Sequence, residues 1–157
     1  MSLLNEFCEE FGLTEADIGH LTRLGRRCFL TLEDQEPLIV KLKKDLFGAG
    51  VYLGEEKQRF EPSAALLEII AGKTSEHKTV VDERAAWLFL CGRDILDKGL
   101  ITAAEPTRNG YLLVQNEHDE NLGYGRKPTP KDRKRGHDMA VKNLLDRGNF
   151  LRRERFE

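Results

Sequence analysis

The 157-residue chain contains no apolar run near the roughly 18 residues that a membrane-spanning helix requires. Its opening, MSLLNEFCEEFG, has no basic stretch ahead of the apolar residues and turns acidic after them, so no secretory signal is expected there. Histidine is scarce. His20, His77, His118 and His137 stand at ligand spacing neither from one another nor from a cysteine, and no metal site is expected. The three cysteines, Cys8, Cys28 and Cys91, lie far apart among apolar residues; an odd count without a secretion signal points to reduced, buried thiols in the cytoplasm. GAGVYLG lacks the Lys-Ser/Thr ending of a phosphate loop and does not match GxGxxG. Asp94 and Asp97 are neighbours, but nothing marks them as an acid/base pair, and both are read as solvated loop residues. No catalytic residue and no cofactor are therefore expected.

What the sequence does have is charge, unevenly placed. The formal net charge is only -2, yet the span from Arg126 to Arg155 holds eleven Lys or Arg against four Asp or Glu. The first 77 residues run the other way, with nine basic and fourteen acidic side chains. A balanced total thus hides a dipolar chain, and the basic end is the footprint expected of a nucleic-acid contact. A solvated basic loop is the competing reading of the same residues.

Periodicity divides the chain in two. LLNEFCEEFG carries an apolar helical face closed by Gly12, and LTEADIGHL predicts a short helix capped by Thr14. RRCFLTLE, PLIVKLKK and GAGVYLGEE read as strands. EPSAALLEIIAG predicts a helix capped by Ser63 and ended by Gly72. The polar KTSEHKT marks a boundary, giving domains of residues 1–77 and 78–157. Beyond it, TVVD predicts a strand and ERAAWLFLCG a helix, with Trp87 and Cys91 four apart and expected in the core. DILDKGLITAAE, GYLLVQNE and NLGYGRK predict further strands, and MAVKNLLDRGNFLRRE predicts two more, bent at Arg147-Gly148. The fold class is α+β: a small α/β N-terminal domain followed by a closed, barrel-like β domain.

The segments VVDERAAWLFLCGRDILDKGL, GYLLVQNEHDENLGYGRK and VKNLLDRGNFLRR, with glycines at Gly92, Gly99, Gly123 and Gly125, resemble a PUA domain, the small RNA-binding barrel found beside pseudouridine synthases and other RNA-modifying enzymes. GVYLGEEKQRFEPSAALLEIIAG resembles the region preceding the PUA domain in the Nip-seven ribosome-biogenesis family, and RKPTPKDRKR resembles its archaeal members. The resemblance implies a non-catalytic RNA-binding protein of ribosomal RNA processing and large-subunit assembly. It further implies a glycine loop at Gly92, Arg93 and Gly99, and a cytoplasmic location, nucleolar in a eukaryote. The alternative is an RNA-binding accessory module of a tRNA- or rRNA-modifying enzyme of pseudouridine synthase or transglycosylase type. A protein-only adaptor, its basic rim on an acidic partner, is the rival from another class.

On this reading PTPKDRKRGHD is a loop between two barrel strands, stiffened by Pro128 and Pro130. Arg126, Lys127, Lys131, Arg133, Lys134 and Arg135 form one rim, joined by Lys142, Arg147, Arg152 and Arg153, and all ten are candidate RNA contacts through phosphate pairing. Tyr124 and Phe150 are the only aromatic candidates for base stacking there, and Phe150 is expected in the core. Folded or double-stranded RNA, ribosomal RNA before tRNA, is therefore the expected partner. The acidic N-terminal domain would face a ribosome-assembly protein, and no membrane is involved.

Overall fold

Ser2 opens the first helix: its hydroxyl accepts the Asn5 amide at 3.0 Å, satisfying one of the N–H groups that a helix start leaves orphaned. The computed structural model describes residues 1–133 and 138–153. The chain divides into two compact units, Met1–Thr74 and Ser75–Glu157.

In the first unit, α1 (Leu3–Glu9) and α2 (Glu15–Ile18) precede the strands β1 (Leu21–Leu24) and β2 (Arg27–Leu30). A helix, α3 (Glu36–Leu42), then leads to β3 (Val51–Glu56), β4 (Phe60–Pro62) and α4 (Ala64–Lys73). The four strands form an antiparallel meander in sequence order. Phe7 packs its ring 5.5 Å from Phe11 and 5.6 Å from Phe60, and Leu53, Leu66, Leu67 and Ile70 complete a buried centre. Ser63 caps α4 as expected, accepting the Leu66 amide.

Two expectations fail here. PLIVKLKK is not a strand but α3. Its β-branched Ile39 and Val40 suggest extended chain, yet Pro37 sits in the first turn, where its fixed φ and missing N–H favour helix. Gly72 does not end α4, which runs on to Lys73 with Thr74 as its cap.

The second unit begins with β5 (Lys78–Val81) and α5 (Glu83–Leu90), the latter capped by the Asp82 carboxylate on the Ala85 amide at 2.7 Å. There follow β6 (Ile95–Leu96), β7 (Leu100–Thr102), β8 (Tyr111–Gln115), β9 (Asn121–Arg126), β10 (Met139–Asp146) and a closing helix α6 (Asn149–Arg153). The six-stranded sheet has the order β6-β10-β9-β8-β5-β7. Only the β5–β8 pair is parallel among the pairings of this sheet. Its two end strands, β6 and β7, are joined by the single turn Asp97–Gly99, so the sheet curls almost into a barrel. Val81, Phe89, Ile95, Val114 and Val141 fill the inside.

The segment expected as a last strand is α6 instead. Gly148 is what permits the turn: a Cβ there would meet the Leu90 carbonyl oxygen at 1.9 Å. The chain thus folds back against the end of α5, and Arg152 donates to that same Leu90 oxygen.

Candidate nucleic-acid interface

α5 ends at a glycine. Gly92, at φ 89, takes the left-handed conformation that side chains disfavour. Its amide donates to Phe89 O at 2.9 Å and the Arg93 amide to Leu88 O at 3.0 Å, the paired bonds of a Schellman motif. That turn aims Arg93 outward and delivers Asp94 to β10. Asp94 accepts the Asn143 amide at 2.9 Å and the Lys142 ammonium at 3.3 Å, so it is an anchor and not a solvated loop residue. The Asn143 side-chain amide donates back to Phe89 O and Arg93 O at 3.0 and 3.2 Å. Gly99 is buried against Ala85 of α5. The loop from Gly92 to Gly99 is therefore held from both sides.

Between this loop, α5 and β10 lies an open groove of about 680 Å³. Arg84, Arg93 and Lys98 line it, all exposed and without an ion-pair partner among the described residues. Lys142 lines it too, already paired with Asp94. The acids in the wall are engaged: Asp82 caps α5, Asp94 holds β10, and Asp132 holds Arg126. Asp82 keeps its negative charge while capping α5, so the unpaired lining charges among the described residues are three cations against one carboxylate, a positive balance.

The rim expected from the sequence is placed less uniformly. Lys127, Lys131 and Arg133 are exposed and carry no ion pair among the described residues, and Arg153 is likewise exposed. Lys134 and Arg135 lie outside the described residues. Arg126 is committed to Asp132 by two hydrogen bonds, at 2.7 and 3.1 Å. Asp132 also accepts the Thr129 hydroxyl and amide at 2.7 and 2.8 Å. These contacts, the Arg126 guanidinium first, hold the Asp132 carboxyl well below the usual carboxylate range and push Arg126 up. Arg152 is bound to Asp146, and Arg147 donates to the Asn121 carbonyl at 3.4 Å.

The aromatic expectations invert. Tyr124 is buried at 6% exposure, its ring 5.7 Å from Tyr111, so it is a packing residue. Phe150, expected inside, is 69% exposed on α6. Trp87 is 66% exposed and Cys91 is also at the surface, because the inward side of α5 is Ala85, Ala86 and Phe89. Reading the sequence for a basic run missed Arg84 and Lys98, which are isolated in the chain. Their signal was position: Arg84 stands three residues before Trp87 on one helical side, and Lys98 sits in the glycine-bounded loop.

Among the described residues no three His, Cys, Asp or Glu side chains gather as a metal site, and no helix is long and apolar enough to cross a membrane.

The UPF0113 PUA domain family matches residues 77–155, the unit that holds the groove. A UPF0113 protein of Archaeoglobus fulgidus is 34% identical over 110 residues, covering 68% of this chain; the chain spans 63% of that relative's length. A conserved PUA domain protein from Thermoplasma acidophilum has a similar fold, with a TM-score of 0.61 at 16% identity, over 96% of this chain and 91% of that one. With the match covering half of its length, the chain belongs to the UPF0113 PUA domain family.

Proposed function

We propose that this protein binds RNA through its PUA unit and, as a Nip-seven-like factor, assists ribosomal RNA processing and assembly of the large ribosomal subunit without catalysing a reaction. The observation that carries RNA binding is the groove, where Arg84, Arg93 and Lys98 face solvent without an ion-pair partner among the described residues, beside a glycine loop held by hydrogen bonds on both sides. Unpaired cations around a concave surface attract phosphates and release counterions on binding. Lys127, Lys131 and Arg133 extend the same positive unit. The acidic excess of the first 77 residues repels RNA and suits a ribosome-assembly protein partner in the cytoplasm.

The test is crosslinking of the full chain in cells followed by sequencing of the bound RNA. Large-subunit ribosomal precursors are the expected catch. Enrichment of tRNA instead would favour an accessory role in RNA modification. An absence of crosslinked RNA, together with no salt-dependent gel shift on structured RNA, would refute RNA binding itself.

A further inference from the structure

We propose that Trp87 is a stacking platform for an unpaired RNA base at the edge of the Arg84–Arg93–Lys98 groove, so that the site takes single-stranded or splayed-out RNA in preference to uninterrupted duplex. The proposal rests on the RNA reading above and changes the class of RNA expected from the sequence.

The geometry of α5 isolates the indole. Ala85, Ala86 and Phe89 are buried in the barrel core. At 3.6 residues per turn, Trp87 falls on the opposite side, and it is 66% exposed. The barrel packs without it. The indole therefore offers an uncovered aromatic face on the solvent side of α5.

The neighbouring charges identify what covers it. Arg84, one turn earlier on the same side of α5, is exposed, and Arg93 follows directly on the Schellman turn that ends the helix. Together with Lys98 these cations line the adjoining groove without counter-ions among the described residues. An aromatic face beside unpaired cations matches the alternation of base and phosphate along a nucleic acid strand. An apolar protein surface would meet Trp87 but leave the arginines without partners. A duplex would satisfy the arginines but keeps its base faces stacked and out of reach of the indole.

Trp87 is the only tryptophan, so its fluorescence reports on this site alone. The full chain is titrated with an oligouridylate, whose bases stack little on one another, and with a blunt RNA duplex, following binding by ligand anisotropy and stacking by tryptophan quenching. The expected result is strong quenching by the single strand and little by the duplex. Trp87→Ala is expected to lower single-strand affinity by roughly five- to a hundredfold. Duplex affinity should stay nearly unchanged, and Trp87→Phe should keep part of the lost binding. Thermal melting checks that the variants stay folded. Saturable anisotropy without quenching, or an equal loss on both RNAs, overturns the stacking proposal and leaves the RNA reading standing. A Trp87 signal that responds to protein concentration and not to RNA marks a protein contact and also overturns it. No anisotropy change with either RNA overturns both readings.

Discussion

Arg152 closes on Asp146 through two hydrogen bonds, Nη1 to Oδ1 at 2.9 Å and Nη2 to Oδ2 at 2.8 Å. Asp146 ends β10 and is buried, whereas Arg152 comes from α6 and is partly exposed. The pair fastens the terminal helix to the barrel, and the bond from Arg152 to Leu90 O extends the fastening to α5. Forked geometry of this kind is the strong form of ion pair. Arg152→Ala leaves the Asp146 carboxylate buried with the Asn143 amide, at 3.2 Å, as its one remaining side-chain partner among the described residues. The expected loss is about 1–3 kcal/mol of unfolding free energy, read by urea denaturation. RNA affinity should fall no more than the lost stability explains, because the guanidinium is spent inside the fold. A large drop in affinity with unchanged stability would show that Arg152 contacts RNA directly.

Arg126 and Asp132 make the second forked pair, and with Thr129 it ties together residues 126–132. Because Arg126 and Thr129 hold the Asp132 carboxyl below its ordinary range, the pair contributes stability above the ordinary carboxylate pKa. That contribution is lost progressively as pH falls from the ordinary carboxylate value to the lowered one. An NMR titration should find the Asp132 carboxyl still ionised at about pH 3, where an unperturbed aspartate is mostly protonated. In Arg126→Ala the titration should move back toward the ordinary value. An unshifted carboxyl in the parent protein would show that the pair does not form in solution.

The thiols differ sharply in access. Cys8 and Cys28 are buried, and burial pushes their pKa up from 9.0, to about 12 and about 11. Cys91 is exposed. A colorimetric disulfide reagent at neutral pH should therefore modify one thiol rapidly in the folded protein and three after unfolding. Cys91→Ser should remove the fast phase. Since the raised values penalise thiolate only in the folded state, the thiols' contribution to stability is full below pH 9 and should decline as pH climbs from there toward 11 and 12. Two or more fast thiols at neutral pH would contradict the burial.

The parts of this fold that were readable in advance carry local chemistry. Ser63 and Thr14 mark helix starts, Gly92 marks the end of α5, and the short apolar run in GYLLVQNE marks β8. The misreadings have physical causes. In PLIVKLKK, β-branched residues outweighed the proline that sets a helical first turn. In DRGNFLRRE, nothing local shows that Gly148 must approach Leu90, a contact made across the chain. In ERAAWLFLCG, apolar side chains occur on both sides of the helix, and periodicity does not say which side faces in; the small alanines and Phe89 do. The site was legible as a charge imbalance but not as a list of contacts. Ion pairs such as Arg126–Asp132 and Arg152–Asp146 form at a separation of six residues, through a loop and a strand-to-helix turn, where helical spacing rules give no warning. Arg84 and Lys98 join the groove only because α5 and the glycine loop meet in space.

The last prediction separates the groove from the loop. Both groups of cations are exposed, so alanine substitutions should cost little stability, within about 0.5 kcal/mol each. Their effects on RNA should differ. Arg84, Arg93 and Lys98 sit on backbone fixed by the Schellman turn, the Asp94–Asn143 bonds and the buried Gly99, so a phosphate bound there requires little further ordering. Lys127, Lys131 and Arg133 give up as much rotamer freedom as the groove cations to hold a phosphate, but none of them lines the groove, so fewer cations converge on one phosphate at the loop. The triple variant Arg84→Ala, Arg93→Ala, Lys98→Ala should therefore weaken binding more than Lys127→Ala, Lys131→Ala, Arg133→Ala. Each phosphate contact removed should also flatten the log-log salt dependence by about 0.7 to 0.9. Anisotropy titrations at several salt concentrations, with one RNA and all three proteins, give both quantities. If the loop variant loses more affinity and more slope than the groove variant, the principal phosphate contacts lie on the loop and the groove is secondary.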